Sequence, residues 1–543
     1  MKEIIKYLGN FGRYQAYLYG LLFLPGFLGG SETMIFSWTG YSPDTRCCIP
    51  ELDGETCSAA YSNLVPAEHR TIYTDDNYCK RCDYVNNVNC TSAKSTSCRG
   101  LGQIYDNETA LVVDSITIMN DLGCDRLIMK QLIWSANTLG ILIGAVVFSV
   151  LSDRFGRRPV FLVSSVLYII VAHLVILAEN YYAYLIGQIL MGCVNYGTYL
   201  TGFIVFMELT DGLPRTLCGI WYQGFFTVGV LYDGLLAYLF NRWRMLQWLA
   251  GLPTLFFIPY YWLFPESIRW LILNNRHQEA RQQIEKAARW NRVTVPESVI
   301  MDEFNATHKA VGETQRKSSV IDLFSHWRLA KNTLIVWYSW AATSLCYYGL
   351  AQNTADLPGS AYTSFILGAL VELPGLAISV PLMEYWGRRP ALVITFGGAG
   401  LGCVLAGVLT NGTVVFVMAM IGRLFISGSF AIVYNYSAEV FPTSVRQSGT
   451  GFSSVCARIG SLLAPQIRLL GTYVNSGMPI IIYGSIALLA AILDLFLPET
   501  RGCQLPETVE DGKYFGTQRK IGALPNNYGS NAPKEPGEAQ SQF

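Results

Sequence analysis

Twelve apolar stretches alternate with polar connections along the chain. They fall roughly at 15–40, 128–151, 160–178, 183–207, 216–240 and 245–264, then at 333–352, 361–383, 391–410, 414–438, 447–470 and 479–497. A hydrocarbon core of about 30 Å takes roughly 20 residues of α-helix to cross, so the pattern predicts an all-α membrane protein with twelve spans. Two polar interruptions are long. One, 41–127, follows the first stretch; the other, 265–332, follows the sixth and divides the chain into halves at 15–264 and 333–497. Helical spacing with mixed charge over 276–292 predicts short amphipathic helices in the central segment. Residues 1–14 precede the first span and 498–543 follow the last; the tail from Gly502 is rich in Gly, Pro and Asn, a composition expected to stay disordered.

The two halves repeat one another. Asp153–Arg154–Phe155–Gly156–Arg157–Arg158–Pro159 returns as Glu384–Tyr385–Trp386–Gly387–Arg388–Arg389–Pro390, an offset of 231 residues. Glu208…Arg215 returns as Glu439…Arg446 at the same offset. Two matches in register point to a duplicated chain whose function needs both halves.

Composition agrees with a bilayer environment. Only 14% of the 543 residues are charged and 51% are hydrophobic, against about a quarter charged in a typical soluble domain. A formal net charge of zero offers nothing for a nucleic-acid partner. The first 13 residues lack a cleavable signal pattern, so the first span is expected to act as an uncleaved signal. Of the short connections, one set carries Arg154, Arg157, Arg158, Arg215, Arg388, Arg389 and Arg446, and the other only Arg242 and Arg244. Positive charge favours the cytoplasmic side, which puts both termini and the central segment inside the cell and 41–127 outside. That outer segment region holds Cys47, Cys48, Cys57, Cys79, Cys82, Cys90, Cys98 and Cys124, with glycosylation acceptors at Asn89 and Asn107. An even number of cysteines beside such acceptors reads as a disulfide-bonded, glycosylated external loop of open connectivity. Cys79-x-x-Cys82 has no second ligand pair, so no metal is expected.

Six plus six spans in parallel repeat is the pattern of major facilitator transporters, whose halves enclose a midplane cavity. Asp153-Arg-Phe-Gly-Arg-Arg-Pro resembles their loop signature, with Ser149 where a Gly is usual and Tyr385 replacing the arginine in the second copy. Cys124–Asp125–Arg126, Pro265–Glu266–Ser267–Ile268–Arg269–Trp270–Leu271 and Val371–Glu372–Leu373–Pro374 resemble the solute carrier 22 family of organic cation, anion and zwitterion transporters. So do Ala438–Glu439–Val440–Phe441–Pro442–Thr443 and Pro498–Glu499–Thr500. The resemblance runs over about 10–510 and implies a plasma-membrane organic-ion carrier.

Candidate residues follow in two groups. Asp153, Arg157, Arg158, Glu208 and Arg215, with Glu384, Arg388, Arg389, Glu439 and Arg446, are expected to form two latches that pair in one conformation and separate in another. The bland alternative is topology-setting charge and interfacial solvation. Ionisable residues inside spans cost about 2.5–3.5 kcal/mol on insertion scales and should face a cavity or a partner. These are Glu32, His173, Asp233, Glu372, Arg423, Arg458, Arg468 and Asp494. Arg458 sits mid-span among Ser453, Ser454, Ala457, Gly460 and Ser461, with room to hold a carboxylate bidentately; an internal ion pair with Glu372 or Asp233 is the alternative. The resemblance implies that this position is acidic in organic cation transporters and arginine in anion and carnitine-type carriers. Glu32 and Asp233 are candidates to hold an ammonium, and Glu372 is a further candidate substrate contact. Tyr199, Phe203, Trp340, Tyr347 and Tyr348 are candidate aromatic contacts, for cation–π attraction worth about 0.5–2 kcal/mol or for stacking. His173 is expected to be a hydrogen-bonded packing residue.

No phosphate-binding GxxxxGK[ST] loop, catalytic triad or dinucleotide fingerprint occurs, so the expectation is a carrier rather than an enzyme, without cofactor. Its partners are a small organic ion, the lipid bilayer and a coupling or exchanged ion left open. The leading expectation is alternating-access transport of a small zwitterion or carboxylate-bearing ion. The alternatives are an organic cation carrier with Arg458 neutralised internally, and a non-transporting receptor or adhesion protein that uses its external loop.

Overall fold

Every apolar stretch is helical. The computed structural model describes residues 2–43, 45–47, 80–82, 95–97, 103–105, 111–123, 126–304, 320–353, 359–442, 445–475, 477–503, 506 and 508–515. The first half opens with α1 (Lys2–Leu8), α2 (Arg13–Leu21), α3 (Phe23–Met34) and α4 (Phe36–Thr39), the last three being one stretch interrupted at Leu22 and Ile35. It continues with α5 (Leu127–Phe155), α6 (Arg157–Leu174), α7 (Tyr181–Met207), α8 (Gly212–Leu239) and α9 (Trp243–Gly251). Prolines at 253 and 259 follow α9, and there the sixth stretch passes through a 3-10 segment, Leu252–Phe257, into a short helix, Tyr260–Leu263. The amphipathic pattern of the central segment is α10 (His277–Asn291). The second half is α11 (Trp327–Asn353), α12 (Ala361–Pro381), α13 (Arg388–Val408), α14 (Gly412–Val440), α15 (Arg446–Tyr473) and α16 (Met478–Asp494).

Among the described residues, six helical segments are long and apolar enough to cross a membrane: Leu127–Phe155, Arg157–Leu177, Tyr181–Met207, Ala361–Trp386, Arg388–Val408 and Gly412–Val440. The others are broken (the first and sixth stretches), short (α16) or carry more polar side chains (α8, α11 and α15). Those three more polar helices all supply walls of the central cavity described below. Helix pairing within each half is close: a Cβ at Gly140 of α5 would lie 2.0 Å from the Ile189 carbonyl oxygen of α7, and one at Gly192 would lie 2.2 Å from that of Asn137. Only small residues allow such backbone approach.

Contacts between the halves gather at one end. There Trp38 of α4 stacks on Tyr362 of α12 (centroids 5.0 Å apart) and meets Phe365 edge-on at 5.1 Å, while Tyr238 of α8 packs against Tyr362. Ser135 of α5 donates to the Leu462 carbonyl of α15 and accepts from Gln466. At the other end, which carries the duplicated loops, Arg215 of one half and Arg446 of the other are close enough to repel.

In the segment 41–127, two short antiparallel ladders form, β1 (Thr45–Cys47) with β4 (Gln103–Tyr105) and β2 (Lys80–Cys82) with β3 (Ser95–Ser97). Cys47 and Cys82 fall in these strands; Cys48, Cys57, Cys79, Cys90, Cys98, Cys124, Asn89 and Asn107 lie outside the described residues. The tail departs from expectation at one point. Val509–Tyr514 is helical, because Thr508 and Asp511 form a reciprocal capping box that outweighs the local composition.

Candidate functional site

Between the halves lies a cavity with about 720 Å³ of empty space, part of it open to solvent. The first half contributes Asn195, Tyr196 and Tyr199 from α7 and Gln223, Phe226 and Thr227 from α8. Facing them are Tyr347 and Tyr348 of α11, Glu372 of α12, Phe430 and Tyr434 of α14, and Arg458 of α15. The walls are largely aromatic. Tyr196 stacks on Tyr199 with centroids 6.0 Å apart, Phe430 stacks on Tyr434 at 5.9 Å, and Tyr347 meets Tyr348 edge-on.

Two charged residues reach this surface, and their situations differ. Glu372 is fully engaged. Its Oε1 accepts from Arg423 Nη2 (2.8 Å) and Nε (3.1 Å) and from the Tyr347 hydroxyl (3.0 Å), and its Oε2 accepts from Thr227 (3.0 Å) of the opposite half. Both members of the ion pair are buried. Arg458, 9% exposed, has no acidic partner among the described residues; its guanidinium lies over the Tyr196 ring at 4.9 Å and its Nε has no hydrogen-bond partner. The expected alternative for Arg458, an internal pair with Glu372 or Asp233, is therefore corrected: Arg423 takes Glu372. With Glu372 balanced by Arg423, Arg458 is a cation without a countercharge on the cavity wall among the described residues.

Of the sequence candidates, Arg458, Tyr199, Tyr347, Tyr348 and Glu372 come together on the cavity wall, and four others lie elsewhere. Trp340 is behind the wall, edge-on to Tyr434 at 4.2 Å. Phe203 stacks on Tyr222 at 5.0 Å and joins the core of the first half. Glu32 and Asp233 are buried within the first half, where Asn137 donates to Glu32 (3.0 Å) and Ser31 to Asp233 (2.6 Å). His173 bonds the Ile169 carbonyl within its own helix, and Asp494 accepts from Ser339 at 2.7 Å. Residues not singled out beforehand are Asn195, Gln223, Thr227, Phe430 and Tyr434. The repeat held a signal for two of them, since adding 231 to 199 and 203 gives Phe430 and Tyr434.

The duplicated loops form two matching clamps. Arg157 Nη2 lies 3.0 Å from Asp153 Oδ1 and 3.3 Å from Glu208 Oε1. Arg388 Nε lies 3.1 Å from Glu439 Oε1 and its Nη2 lies 3.6 Å from Glu384 Oε1. These pairs tie helices of one half together rather than one half to the other. Each clamp contains an acid absent from the candidate set. Glu266 accepts the backbone N–H groups of Arg157 (2.9 Å) and Arg158 (3.2 Å), the otherwise orphaned first donors of α6. Glu499 does the same for Arg388 (2.9 Å) and Arg389 (3.0 Å) on α13. Ser267 donates to Glu208 and Thr500 to Glu439, completing the match. Gly156 and Gly387 sit at φ +105° and +98°, where a Cβ would come 2.5 Å from the Glu266 carboxylate and 2.7 Å from that of Glu499. Glycine is required there twice over, by backbone angle and by space. Arg158 and Arg389 donate to the carbonyls of Tyr261 and Leu495. Tyr385, the departure in the second copy, offers only its carbonyl, which Arg501 contacts.

Comparison with known proteins places this geometry. The family of sugar (and other) transporters matches residues 84–511. The chain is 35% identical over 526 residues to an organic cation transporter protein of Drosophila melanogaster, covering 95% of this chain and 94% of the relative. It is 30% identical to organic cation/carnitine transporter 2 of Homo sapiens, covering 94% and 93%. Among solved structures, the partially occluded inward-open xylose transporter XylE from E. coli aligns with a TM-score of 0.61 at 14% identity, over 91% of this chain and all of that one. The XylE proton:xylose symporter bound to 6-bromo-6-deoxy-D-glucose aligns at 0.59 and 15% identity, over 92% and 98%. Relatives of this kind are transporters, not enzymes. The chain belongs to the solute carrier 22 branch of the major facilitator superfamily, within the sugar (and other) transporter family, and is a multi-pass membrane transporter.

Proposed function

We propose that this transporter carries small organic ions bearing a carboxylate, zwitterions among them, by alternating access. The observation that carries the reading is Arg458, a buried guanidinium on the cavity wall with no acidic partner among the described residues. A substrate carboxylate supplies the missing charge and two acceptors, and a guanidinium fork suits it. Tyr196, Tyr199, Tyr348, Phe430 and Tyr434 surround the apolar or ammonium part. The closed aromatic end and the repelling Arg215–Arg446 end are what one state of a rocking pair of halves requires. The two loop clamps would stiffen each half as it rocks and set the balance between states.

The reading includes twelve spans in two six-helix halves, 15–264 and 333–497, in the plasma membrane. Both termini and 265–332 face the cytoplasm. The loop 41–127 is external, carrying disulfides among its eight cysteines and glycans at Asn89 and Asn107. An organic cation, the substrate in several relatives' names, would need Arg458 neutralised, and Glu372 is already committed to Arg423.

The test is uptake at matched surface expression for Arg458→Ala, Arg458→Lys and Arg458→Asp, with a labelled trimethylammonium carboxylate, an aromatic carboxylate and a quaternary ammonium. Leaving a charged partner unpaired costs about 2–5 kcal/mol, so Arg458→Ala should weaken carboxylate recognition by about 30-fold to several thousand-fold. Arg458→Asp should favour the quaternary ammonium. Unchanged carboxylate uptake by Arg458→Ala refutes the assignment.

A further inference from the structure

Glu32 and Asp233 lie off the cavity, and nothing in substrate recognition uses them. Both are buried, at 5% and 0% exposure, and neither has an ion-pair partner among the described residues. They are close enough to interact electrostatically, and Ser31, next to Glu32, donates to Asp233 Oδ1 at 2.6 Å. Asp233 Oδ2 is fully buried and has no hydrogen-bond partner. Beside them Asn137 Nδ2 is shared between Glu32 Oε1 (3.0 Å) and Gln188 Oε1 (3.2 Å), while Gln188 Nε2, also buried, has no partner.

The groups around the pair are neutral. Tyr168 of α6 donates to the Leu28 carbonyl, and Tyr184 of α7 shares a hydrogen bond with Thr39. Tyr232 of α8 donates to the Leu249 carbonyl, α9 buries Gln247, and the 3-10 segment buries Thr254, which bonds its own backbone. Titratable groups further along these helices make other contacts: Lys130 of α5 donates to Ser42, Arg244 of α9 lies over Trp243, and His173 of α6 bonds the Ile169 carbonyl of its own helix. Two ionised carboxylates side by side without a countercharge are strongly disfavoured, by mutual repulsion and by desolvation of several kcal/mol per ion. One proton removes most of that cost and gives Asp233 Oδ2 a reason to be buried.

We propose that Glu32 and Asp233 form a proton-binding site that titrates during the transport cycle and couples substrate movement to a proton gradient. The proposal rests on the transporter reading. On loading, an O–H bond forms at a carboxylate oxygen from an aqueous hydronium; on unloading, that bond breaks and the proton passes to water, and no other bond changes. The site is placed to affect the closed end. A Cβ at Gly30 of α3 would lie 1.9 Å from the Phe226 carbonyl oxygen of α8, and one at Gly229 would lie 1.9 Å from that of Phe27, so α3 and α8 touch backbone to backbone. Gly234, next to Asp233, faces Ile366 and Phe365 of α12 across the interface, and Phe365 also packs against Trp38. Thr33 and Thr227 of the same two helices line the cavity. Altering the Ser31–Asp233 bond therefore acts on the helices that seal the end and hold the substrate.

The experiment uses the full chain reconstituted in lipid vesicles. Infrared difference spectra between acid and alkaline buffers should show a protonated-carboxyl carbonyl band that loses intensity in Asp233→Asn and in Glu32→Gln. With the membrane potential clamped, steady-state accumulation of a labelled trimethylammonium carboxylate should follow an imposed pH gradient, by up to about tenfold per pH unit for one proton per substrate. The two variants should keep exchange of labelled for unlabelled probe and lose the gradient response. No such band in the wild-type protein, accumulation indifferent to pH, or accumulation that follows a Na⁺ gradient instead, each overturns the proposal. If the wild-type protein exchanges no carboxylate probe, the carboxylate reading has failed, and the infrared band still decides the proton site.

Discussion

The Glu372–Arg423 pair offers the sharpest energetic test of the cavity. Its members are 2–3% exposed, and two nitrogens of the guanidinium reach one carboxylate oxygen at 2.8 and 3.1 Å. Removing one partner of a buried pair costs about 3–5 kcal/mol, because the other charge stays behind unpaired, whereas removing both is often neutral. Arg423→Met should therefore be strongly destabilising, though Tyr347 and Thr227 still donate to the stranded carboxylate and soften the loss. Glu372→Gln strands Arg423 in the same way. The double variant should recover much of the loss; a double no less stable than either single gives a coupling energy of about 3–5 kcal/mol in a double-mutant cycle. Thermal unfolding of the purified protein in nanodiscs, followed by size-exclusion of the surviving folded protein, measures all four corners. Transport adds a second readout, since Glu372→Gln removes the acid that lines the cavity opposite the proposed carboxylate site and should tighten carboxylate binding wherever the protein folds. A double variant as unstable as the two single losses summed would refute the reasoning.

Four further outcomes follow from the geometry. Gly156→Ala and Gly387→Ala should each slow transport at normal surface levels. The backbone there, at φ 105° and ψ 157° in one and φ 98° and ψ 168° in the other, is essentially glycine-only and costs about 1–3 kcal/mol in a residue with a side chain, and the new methyl displaces the capping carboxylate; uptake rates at matched expression test this. Burial holds the Glu266 carboxyl above the ordinary glutamate range, against the lowering by the amides of Ser267, Arg158 and Arg157. The folded chain therefore binds that proton more tightly than the unfolded chain. The contribution of this group to stability falls as pH rises from the ordinary glutamate value through the raised one, then stays flat; Glu266→Gln should lack that slope in unfolding midpoints measured against pH. Tyr196→Leu removes the ring under Arg458 and should weaken binding by about 2- to 30-fold, the range of a cation–π contact worth 0.5–2 kcal/mol, read in competition uptake. Trp38→Ala deletes two aromatic pairs worth about 0.5–1.5 kcal/mol each and should raise labelling of a cysteine at Thr33 from the Trp38 side.

Much of the helical frame was legible because it is written in long apolar runs, and the duplicated loops because their arginines and glycines cannot be exchanged. The cavity was half legible. Arg458 stood out by being a charge in an apolar run, but the pairing of Glu372 depended on which helix faces which, and α12 against α14 is not encoded in either segment alone. Glu32 and Asp233 looked like Arg458 in sequence, yet α3 and α8 close over them and leave them inside one half. Trp340 and Phe203 failed for a similar reason. An aromatic one or two turns along the same helix face has the same local signature as one on the wall, and the difference is its position along the helix axis.

The offset of 231 residues that links the loops also runs through the cavity. Tyr196 corresponds to Ser427, Tyr199 to Phe430, Ile141 to Glu372 and Thr227 to Arg458, and all eight line the same space. Equivalent positions of the two halves therefore face each other around a shared centre, as a duplicated pair of bundles requires. The loop clamps kept their chemistry in both copies, down to the acid that caps the following helix. The cavity positions did not: both charges, Glu372 and Arg458, are on the second half, where the first has isoleucine and threonine. On the proposed rocking mechanism the frame constrains its clamps in both halves alike, while a site proposed to hold an asymmetric ion needs its charge on one side. Glu372 is bonded to Thr227, the first-half counterpart of Arg458. If the proposed carboxylate binds at Arg458, it arrives beside a buried hydrogen bond that ties the cavity walls of the two halves, and a substrate that competed for Thr227 would loosen the halves as it bound.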